Sequence, residues 1–225
     1  MNRYLSSLVA VGAFVLPAIA QAQNVVNEEP MPTADRGVTT DESKAGDHEG
    51  FMLRMSTGFS GIGIGIMPED SPDVGAGAGG GTLNLQIGTS IVPNLVLHAD
   101  LMALGGSDVR AEVDDGSDDF DGEGFGMGAA GLGVTYFIMP YNLSLTGSLM
   151  YGAYELETEK DQVYTTDYLL LGSVGIGKEW AVSQNWGLGV ATNVFAGSGR
   201  GEDSNDEEFD TGFMGATVSF TATYN

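Results

Sequence analysis

Four ionisable residues lie within stretches of alternating apolar and polar residues in this 225-residue sequence: Arg54, His98, Asp100 and Glu179. His98 and Asp100 have the residue types of a catalytic base and its orienting carboxylate. On a strand, side chains two residues apart point the same way with Cβ atoms about 6–7 Å apart, which follows from a rise of ~3.3 Å per residue. No serine motif supplies a nucleophile, and the chain has no cysteine. The sequence therefore predicts a protein that is not an enzyme.

The same four residues suit an internal ion-pair network, because a charge removed from water must be paired. All four fall on the polar faces of predicted strands. Arg54 lies early on an ascending strand and Glu179 lies late on a descending one, so we expect both near the same end of the sheet. The alternative is a gate, in which the pair rearranges to open a pore.

Carboxylates form a second chemical feature. The densest segment holds Asp114, Asp115, Asp118, Asp119, Asp121 and Glu123. Ser117-x-Asp119-x-Asp121-Gly122 resembles the start of a calcium loop, but the first ligand is serine and the twelfth position is Gly128, so it is not an EF-hand. The segment is open to two interpretations: weak binding of Ca²⁺ or Mg²⁺, or a solvated surface of mutually repelling charges. We expect no firm metal site and no other cofactor.

Net charge and glycine content restrict the class of protein. Eight lysines and arginines against 31 aspartates and glutamates give a net charge of −23. This argues against nucleic-acid binding, which needs a basic footprint. The 35 glycines exceed the usual share of about 7% and often alternate with apolar residues, as in Gly61-Ile62-Gly63-Ile64-Gly65-Ile66. Alternate glycines leave one strand face nearly bare, which suits the interior of a narrow closed sheet.

The chain divides into three predicted parts. Residues 1–22 are interpreted as a secretory signal peptide, because Arg3 precedes an apolar stretch and Ala20-Gln21-Ala22 fits the small-x-small cleavage rule. Residues 23–50 are polar, acidic and aperiodic, and we expect a disordered periplasmic lead-in. Period-2 alternation begins at Phe51, so 51–225 is the predicted β domain.

The alternation predicts an all-β fold of eight antiparallel strands in an up-and-down meander. The predicted strands are 51–66, 80–91, 95–104, 125–138, 143–154, 168–180, 186–196 and 213–224. Three short turns, 92–94, 139–142 and 183–185, alternate with four long, acidic connections. The long connections are 67–79, 105–123, 155–167 and 197–211. Strict alternation puts all long loops at one end of the sheet.

The first strand carries a change of pattern. Phe51, Leu53 and Met55 share one face, whereas Ile62 and Ile64 have the opposite parity. If the apolar residues keep to one side of the sheet, the chain must shift by one residue between the two sets. We therefore predict a bulge or kink near Gly58–Gly61.

The composition of the two faces favours a barrel with its apolar face outward, in lipid. The polar faces carry glycine, serine, threonine, asparagine and glutamine rather than the lysine and glutamate of a water-exposed strand. The apolar segments approach the ~9–11 residues with which a tilted strand crosses a bilayer. Aromatic residues gather near strand ends, as they do at membrane interfaces: Tyr136, Phe137, Tyr141, Trp180, Trp186 and Tyr224. A soluble, lipocalin-like barrel is the alternative.

With these alternating segments, alternating connection lengths and a near-terminal aromatic, 51–225 resembles the small outer-membrane barrels of the OmpA transmembrane domain and OmpX family. The resemblance implies a transmembrane β-barrel in the outer membrane of a Gram-negative cell, with both termini periplasmic. It also implies a monomer that contacts outer-membrane lipid and lipopolysaccharide and is inserted by the barrel-assembly machinery. One feature departs from the family, because such barrels commonly end on an aromatic residue and here Asn225 follows Tyr224.

Three functions follow from this architecture. The first is a non-catalytic barrel with a closed polar lumen and acidic surface loops, in a structural or surface-interaction role. The second is a narrow, porin-like channel for small solutes, although an eight-stranded interior is just wide enough for side chains to fill it. The third is a lipid A-modifying enzyme, since some barrels of this size have that activity; it would have to use His98 and Asp100.

Overall fold

The computed structural model describes residues 50–68, 74–107, 109–113, 120–158, 163–202 and 208–225, with the backbone alone at 68, 74, 109–113, 120–123, 158, 163 and 167. The predicted signal peptide, and all of the predicted lead-in except Gly50, lie outside the described residues. The described strands are β1 (Phe51–Pro68), β2 (Val74–Val92), β3 (Leu95–Gly106), β4 (Val109–Val113), β5 (Phe120–Ile138), β6 (Leu143–Thr158), β7 (Val163–Ala181), β8 (Trp186–Glu202) and β9 (Glu208–Tyr224). A short 3₁₀ helix, Met139–Tyr141, joins β5 to β6. No helix in the described part of the chain is long and apolar enough to cross a membrane.

All strands are antiparallel to their neighbours, and the sheet closes because β1 pairs with both β2 and β9. β3 and β4 both lie between β2 and β5, so nine strands occupy eight positions in the ring. The predicted all-β antiparallel meander is confirmed. The predicted strand count was one too low, because the chain leaves the sheet after Gly106 and re-enters it at Val109 in the same position of the ring.

The ring has a stagger of ten residues. If one starts at Arg54 and moves from each residue to its paired partner on the next strand, one returns to β1 not at Arg54 but at Ile64. In a closed sheet of eight positions such a stagger goes with strands tilted by about 35–45°. Residues far apart in the sequence are therefore brought to the same height inside the ring.

Three short connections lie at one end of the ring, which we call the turn end; the opposite end is the loop end. Gly50 and Asn225 also lie at the turn end, where Gly50 accepts a hydrogen bond from the Ser90 amide and the Asn225 amide donates to Asn185. Asn94 and Asn142 adopt left-handed backbone conformations in two of the turns, with φ of 65° and 52°. Asparagine tolerates this conformation better than most residues, which explains its place there.

The strands are longer at the loop end than the sequence predicted. β2 already begins at Val74, and β6 continues to Thr158. Much of each predicted long connection is therefore strand: 67–79, 105–123, 155–167 and 197–211. The prediction was wrong because the outward positions of these extensions are mostly glycine or charged, a composition that is typical of loops as well.

The predicted bulge in β1 is also wrong. Its residues pair one to one with β2 without interruption, from Phe51 opposite Thr89 to Ile66 opposite Val74. Phe51 faces outward, whereas Ile64 and Ile66 are buried inside the ring. The strand is therefore regular, and it is the chemistry of the interior that changes along it.

The interior consists of two halves of opposite polarity. Toward the turn end, the polar half is built from buried polar side chains: Arg54, Gln86, His98, Asp100, Thr135, Ser148, Glu179, Thr217, Ser219, Thr221 and Thr223. Toward the loop end, the apolar half is a hydrophobic core that includes Ile62, Ile64, Ile66, Met102, Leu104, Phe125, Met127, Met150, Tyr154, Leu156, Leu169, Leu171, Phe195, Phe209 and Phe213. A small apolar cluster of Met52, Val96 and Phe137 lies below the polar half at the turn end.

The outer surface changes in the opposite sense. Around the polar half it is an exposed apolar belt, in which Phe59, Leu149 and Phe220 are 77%, 70% and 69% exposed. On β2 the belt runs from Leu83 to Ile91. Around the apolar half, glycines hold many of the outward positions: Gly61, Gly63, Gly65, Gly75, Gly77, Gly79, Gly126 and Gly128. Away from the boundary between them, where Leu170 and Met214 are exposed beside the buried Leu171 and Phe213, each half of the ring has one polar and one apolar side, in reverse order.

Candidate functional site

A buried ion pair spans the interior near the turn end. The Arg54 Nη2 donates to Glu179 Oε1 at 2.5 Å, and the two side chains are 5% and 11% exposed. Thr223 joins them, because its hydroxyl accepts from Arg54 Nε at 3.1 Å and donates to Glu179 Oε1 at 2.8 Å. The guanidinium also lies 5.2 Å from the centre of the Phe137 ring. This cluster closes the turn end with a charge pair whose hydrogen bonds are well satisfied.

Local sequence explains why these side chains reach one another. Arg54 is opposite Thr223 in the β1–β9 register, and both point inward. Glu179 comes from β7 on the far side of β8, where two inward glycines leave room for it. A Cβ at Gly189 would lie 3.0 Å from Glu179 Cγ and would overlap the backbone of β7. The glycines predicted to suit a narrow interior therefore make space for a charged side chain.

A second cluster surrounds Asp100, which is 2% exposed. Its Oδ1 accepts from Asn84 Nδ2 at 2.5 Å, and its Oδ2 accepts from Ser148 Oγ at 2.6 Å and from Gln86 Nε2 at 3.2 Å. His98 is not part of this arrangement, because its Nε2 is 3.0 Å from Thr135 Oγ1. The order of contacts differs from a hydrolytic relay, in which the imidazole would lie between the serine and the carboxylate.

The apolar half closes the loop end with stacked aromatic rings. Phe213 lies at the centre, with ring centroids 5.3 Å from Phe195, 6.2 Å from Phe125 and 6.3 Å from Tyr154. Gly215 leaves room for the stack, since a Cβ there would lie 2.5 Å from the Phe195 ring. Such packing fills this part of the interior with apolar side chains.

The Tyr154 hydroxyl is the main polar group within the stack. It lies 2.7 Å from Thr211 Oγ1, and Thr211 in turn donates to the Gly65 carbonyl at 2.9 Å. Burial raises the pKa of Tyr154 to about 12, and the hydrogen bond with Thr211 opposes part of that rise. A neutral tyrosine with a hydrogen-bonded hydroxyl is compatible with an apolar core.

In the predicted carboxylate loop, the structure describes the backbone of Asp121 and Glu123 but none of the six side chains. The side chains of Asp114, Asp115, Asp118, Asp119, Asp121 and Glu123 lie outside the described residues. On the outer surface of the loop end, Arg200 Nε donates to Asp210 Oδ1 at 2.8 Å, and this contact raises the pKa of Arg200. Among the described side chains, no group of three or more potential ligands is placed to hold a metal ion. Weak cation binding by these loops stays a prediction.

The structure places five of the predicted interface aromatics on the outer surface at the turn end: Tyr136, Tyr141, Trp180, Trp186 and Tyr224. The Trp186 and Tyr224 rings meet edge to face at a centroid distance of 5.4 Å. Phe137 is the exception, because it is 4% exposed and faces inward beneath Arg54. Phe137 directly follows Tyr136 on β5, so the two side chains point to opposite sides of the sheet. The sequence alone could therefore have placed Phe137 inside and Tyr136 outside.

Most of the partners inside the ring could not be predicted from the sequence. The sequence indicated Arg54, Asp100 and Glu179 as candidate site residues but not their partners Thr223, Asn84 and Ser148. Threonine and serine are frequent on all inward faces, so their residue type does not distinguish the few that bind a charge. The ten-residue stagger decides which of them do, and it was not known from the sequence.

Comparisons with known proteins concern the fold. No family model and no curated protein matches the sequence. Among solved structures, the outer membrane protein OprG from Pseudomonas aeruginosa aligns with a TM-score of 0.51 at 9% identity, over 79% of this chain and 98% of OprG. Neisserial surface protein A aligns with a TM-score of 0.42 at 12% identity, over 77% and 96%. The outer membrane protease OmpT from Escherichia coli aligns with a TM-score of 0.43 at 10% identity, over 81% and 99%.

The TM-score of 0.51 indicates that this chain shares the fold of OprG, whereas the TM-scores of 0.42 and 0.43 are too low to support that conclusion. The chain therefore has the fold of the small bacterial outer-membrane β-barrel proteins, as its resemblance to the OmpA and OmpX family predicted.

Proposed function

We propose that this chain is a non-catalytic outer-membrane β-barrel whose filled interior makes it a rigid support for acidic surface loops. The observation that carries the proposal is the reversal of polarity between its two halves. The exposed apolar belt fits the acyl chains of a bilayer, and its extent on β2, Leu83–Ile91, matches the ~9–11 residues of a tilted membrane strand. The interface aromatics at its lower edge fit the headgroup region.

The loop-end half has the opposite construction, which suits water. Its apolar side chains are packed inside, and its outer surface carries glycine and charged residues such as Arg200 and Asp210. In our proposal this half stands above the bilayer among the sugars of lipopolysaccharide and carries the acidic loops outward. The turn end, with Gly50 and Asn225, then faces the periplasm.

The proposed role is structural or one of surface interaction because the interior is blocked twice. The Arg54–Glu179 pair blocks the turn end, and the aromatic stack around Phe213 blocks the loop end. A continuous water path would have to cross both. His98 and Asp100 are buried between the two barriers, where a lipid substrate does not reach them. Among the described strands the ring leaves no unpaired edge to promote association, which supports a monomer. Insertion by the barrel-assembly machinery is part of the same proposal.

Conductance in planar lipid bilayers tests this proposal. We expect the purified full chain to shift its mobility on boiling, as a folded barrel does, and to show no steady conductance steps. Replacement of Phe213 by alanine should leave the bilayer sealed, because the Arg54–Glu179 pair remains. Discrete steps in the wild-type protein that change size in a Glu179→Gln variant would show a channel and refute the proposal.

A further inference from the structure

A small cavity lies in the polar half, between the ion pair and the aromatic stack. It measures ≈ 40 Å³, and its walls include Arg54 of the ion pair and Phe195 of the stack. One water molecule needs about 10–15 Å³, so this space accepts about three waters and is too small for an organic solute. The cavity is therefore a site for particles of the size of water.

The walls of this cavity carry hydrogen-bond donors and acceptors together. Arg54 contributes a guanidinium group, which has N–H donors and no acceptor. Asp100 contributes a carboxyl group, whose oxygens accept hydrogen bonds from Asn84 and Gln86. The side-chain amide of Asn193 can both donate and accept. A lining of this mixed kind favours neither a cation nor an anion, and it matches water, which donates and accepts.

Two oxygen atoms in the wall lack a hydrogen-bond partner within the described residues. They are Gln86 Oε1 and Thr221 Oγ1, and the two residues are 6% and 5% exposed. Gln86 is opposite Arg54 in the β1–β2 register, and Thr221 is opposite Ser56 in the β1–β9 register. Since Arg54 and Ser56 are successive inward residues of β1, the two oxygens flank one part of the wall. Buried polar atoms without a protein partner are commonly hydrogen-bonded to ordered water.

We propose that this cavity binds a cluster of about three ordered water molecules, which donate to Gln86 Oε1 and Thr221 Oγ1 and accept from Arg54. Arg54 also donates to Glu179, and Gln86 also donates to Asp100. The waters therefore join the ion-pair cluster and the Asp100 cluster into one hydrogen-bonded network across the interior. They satisfy two oxygens that no described side chain reaches, and they fill the space between the two barriers.

Contact between water and methionine methyl groups tests this proposal in solution. Met102 and Met150 line the cavity, whereas Met127 is buried in the apolar half and is not part of the lining. In the full chain with isotope-labelled methionine methyl groups, in detergent micelles, we expect nuclear Overhauser cross-peaks to water at Met102 and Met150 and none at Met127. The absence of cross-peaks at Met102 and Met150 would show a dry cavity. Equal cross-peaks at all of these methionines would show water that is not confined to the site, and either result overturns the proposal.

Crystallography of the full chain locates the waters. We expect electron-density peaks inside the cavity, with one water oxygen about 2.5–3.0 Å from Gln86 Oε1 and one at the same distance from Thr221 Oγ1. Thr221→Val keeps the shape of the side chain but removes its hydroxyl, so this variant should lose the water at that position. The matched control is Thr211→Val, which lies on the same strand but outside the lining and should keep every water.

The wild-type measurements decide the question even if a variant does not fold. Crystals soaked in rubidium bromide should show no anomalous signal within the cavity. Rubidium or bromide at the site would show that an ion occupies it and would overturn the proposal. An unchanged set of waters in Thr221→Val would do the same, because the hydroxyl would then not hold the cluster.

Discussion

The polar and apolar halves fill the same ring of eight strand positions by opposite chemistry. The polar half holds charges and hydroxyls that must be matched one to one, as Arg54 is matched to Glu179 and Thr223. The apolar half holds rings and aliphatic chains that need only to fit together, as around Phe213. Under the proposed placement in the membrane, the interior chemistry changes with the surroundings: the half with lipid outside has mainly polar groups inside, and the half with water outside has mainly apolar ones.

The two halves should therefore fail in different ways. In the polar half, loss of one group leaves its partner unsatisfied, so the cost exceeds that of the lost contact. In the apolar half, loss of a side chain leaves a cavity whose cost depends on how far its neighbours relax. Substitutions in each half distinguish these two modes.

The largest effect is expected when one partner of the buried pair is removed. Glu179→Leu leaves the Arg54 guanidinium buried without a counter-charge and should lower the free energy of unfolding by about 3–5 kcal/mol. Urea denaturation in detergent micelles measures this loss. The double variant Arg54→Met, Glu179→Leu removes both charges and should recover most of the stability. Equal losses in the single and double variants would contradict one-to-one matching in this half.

A smaller loss is expected in the aromatic stack. Phe213→Ala removes the central ring and should lower the free energy of unfolding by about 3 kcal/mol, through lost burial and a residual cavity. The matched control is Phe220→Ala on the same strand, where the ring is 69% exposed on the outer belt and its removal opens no cavity. The same denaturation experiment compares the two. A loss at Phe220 as large as that at Phe213 would show that the loop-end core does not stabilise the ring.

High pH should destabilise the apolar half in particular. The pKa of Tyr154 is raised to about 12 in the folded protein, whereas an unfolded tyrosine titrates near 10. The stabilisation is thus complete below about pH 10 and is lost as the pH rises through about 12, because the unfolded state releases its proton first. A shift of this size corresponds to roughly 2–3 kcal/mol. Unfolding measured from about pH 9, one unit below the pKa of an unfolded tyrosine, to about pH 12, the pKa in the folded protein, should show this extra loss in the wild type and not in Tyr154→Phe.

The smallest effect is expected outside the ring. Arg200 and Asp210 form an ion pair whose side chains are 58% and 62% exposed. Arg200→Ala should leave the unfolding midpoint within experimental error, because solvent screens an exposed pair. Urea denaturation at low and at high salt checks this. A clear loss that disappears at high salt would show that the loop-end surface, rather than the packing inside it, stabilises this half.

The sequence predicted the turn-end half well and the loop-end half poorly. Around the belt, the alternation of apolar and small polar residues identified strands, their faces and the short turns, since one side of each strand carried most of the large apolar residues. At the loop end the alternation continues with its faces exchanged, and glycine takes the outward positions, as at Gly61 and Gly63 on β1. In the sequence this exchange of faces resembles the one-residue shift of a bulge, and the glycine-rich, charged strand extensions resemble loops, so both predictions fail at this end.

The contents of the interior could be predicted only as a set of inward-facing residues. The alternation of side chains along each strand placed Arg54, His98, Asp100 and Glu179 inside the ring. It did not indicate which residues they contact. The contact between Arg54 and Glu179 spans 125 residues of sequence and depends on the stagger of the closed sheet. The same holds for the bond from Ser148 to Asp100. Such contacts follow from three-dimensional closure, and one sequence read by periodicity does not contain that information.

The reversal of polarity also has a consequence for how the chain reaches its final form. The ring is completed only when β1 meets β9, for example when Leu53 pairs with Tyr224, so the last step joins segments from opposite ends of the domain. Before that step the open sheet exposes apolar residues on one face at the turn end and on the other face at the loop end. A partly assembled chain therefore exposes apolar surface on both faces of its sheet at the same time. We expect assembly to be slow, as it is for sheets dominated by distant pairings, and prone to aggregation unless a chaperone or the bilayer covers both faces.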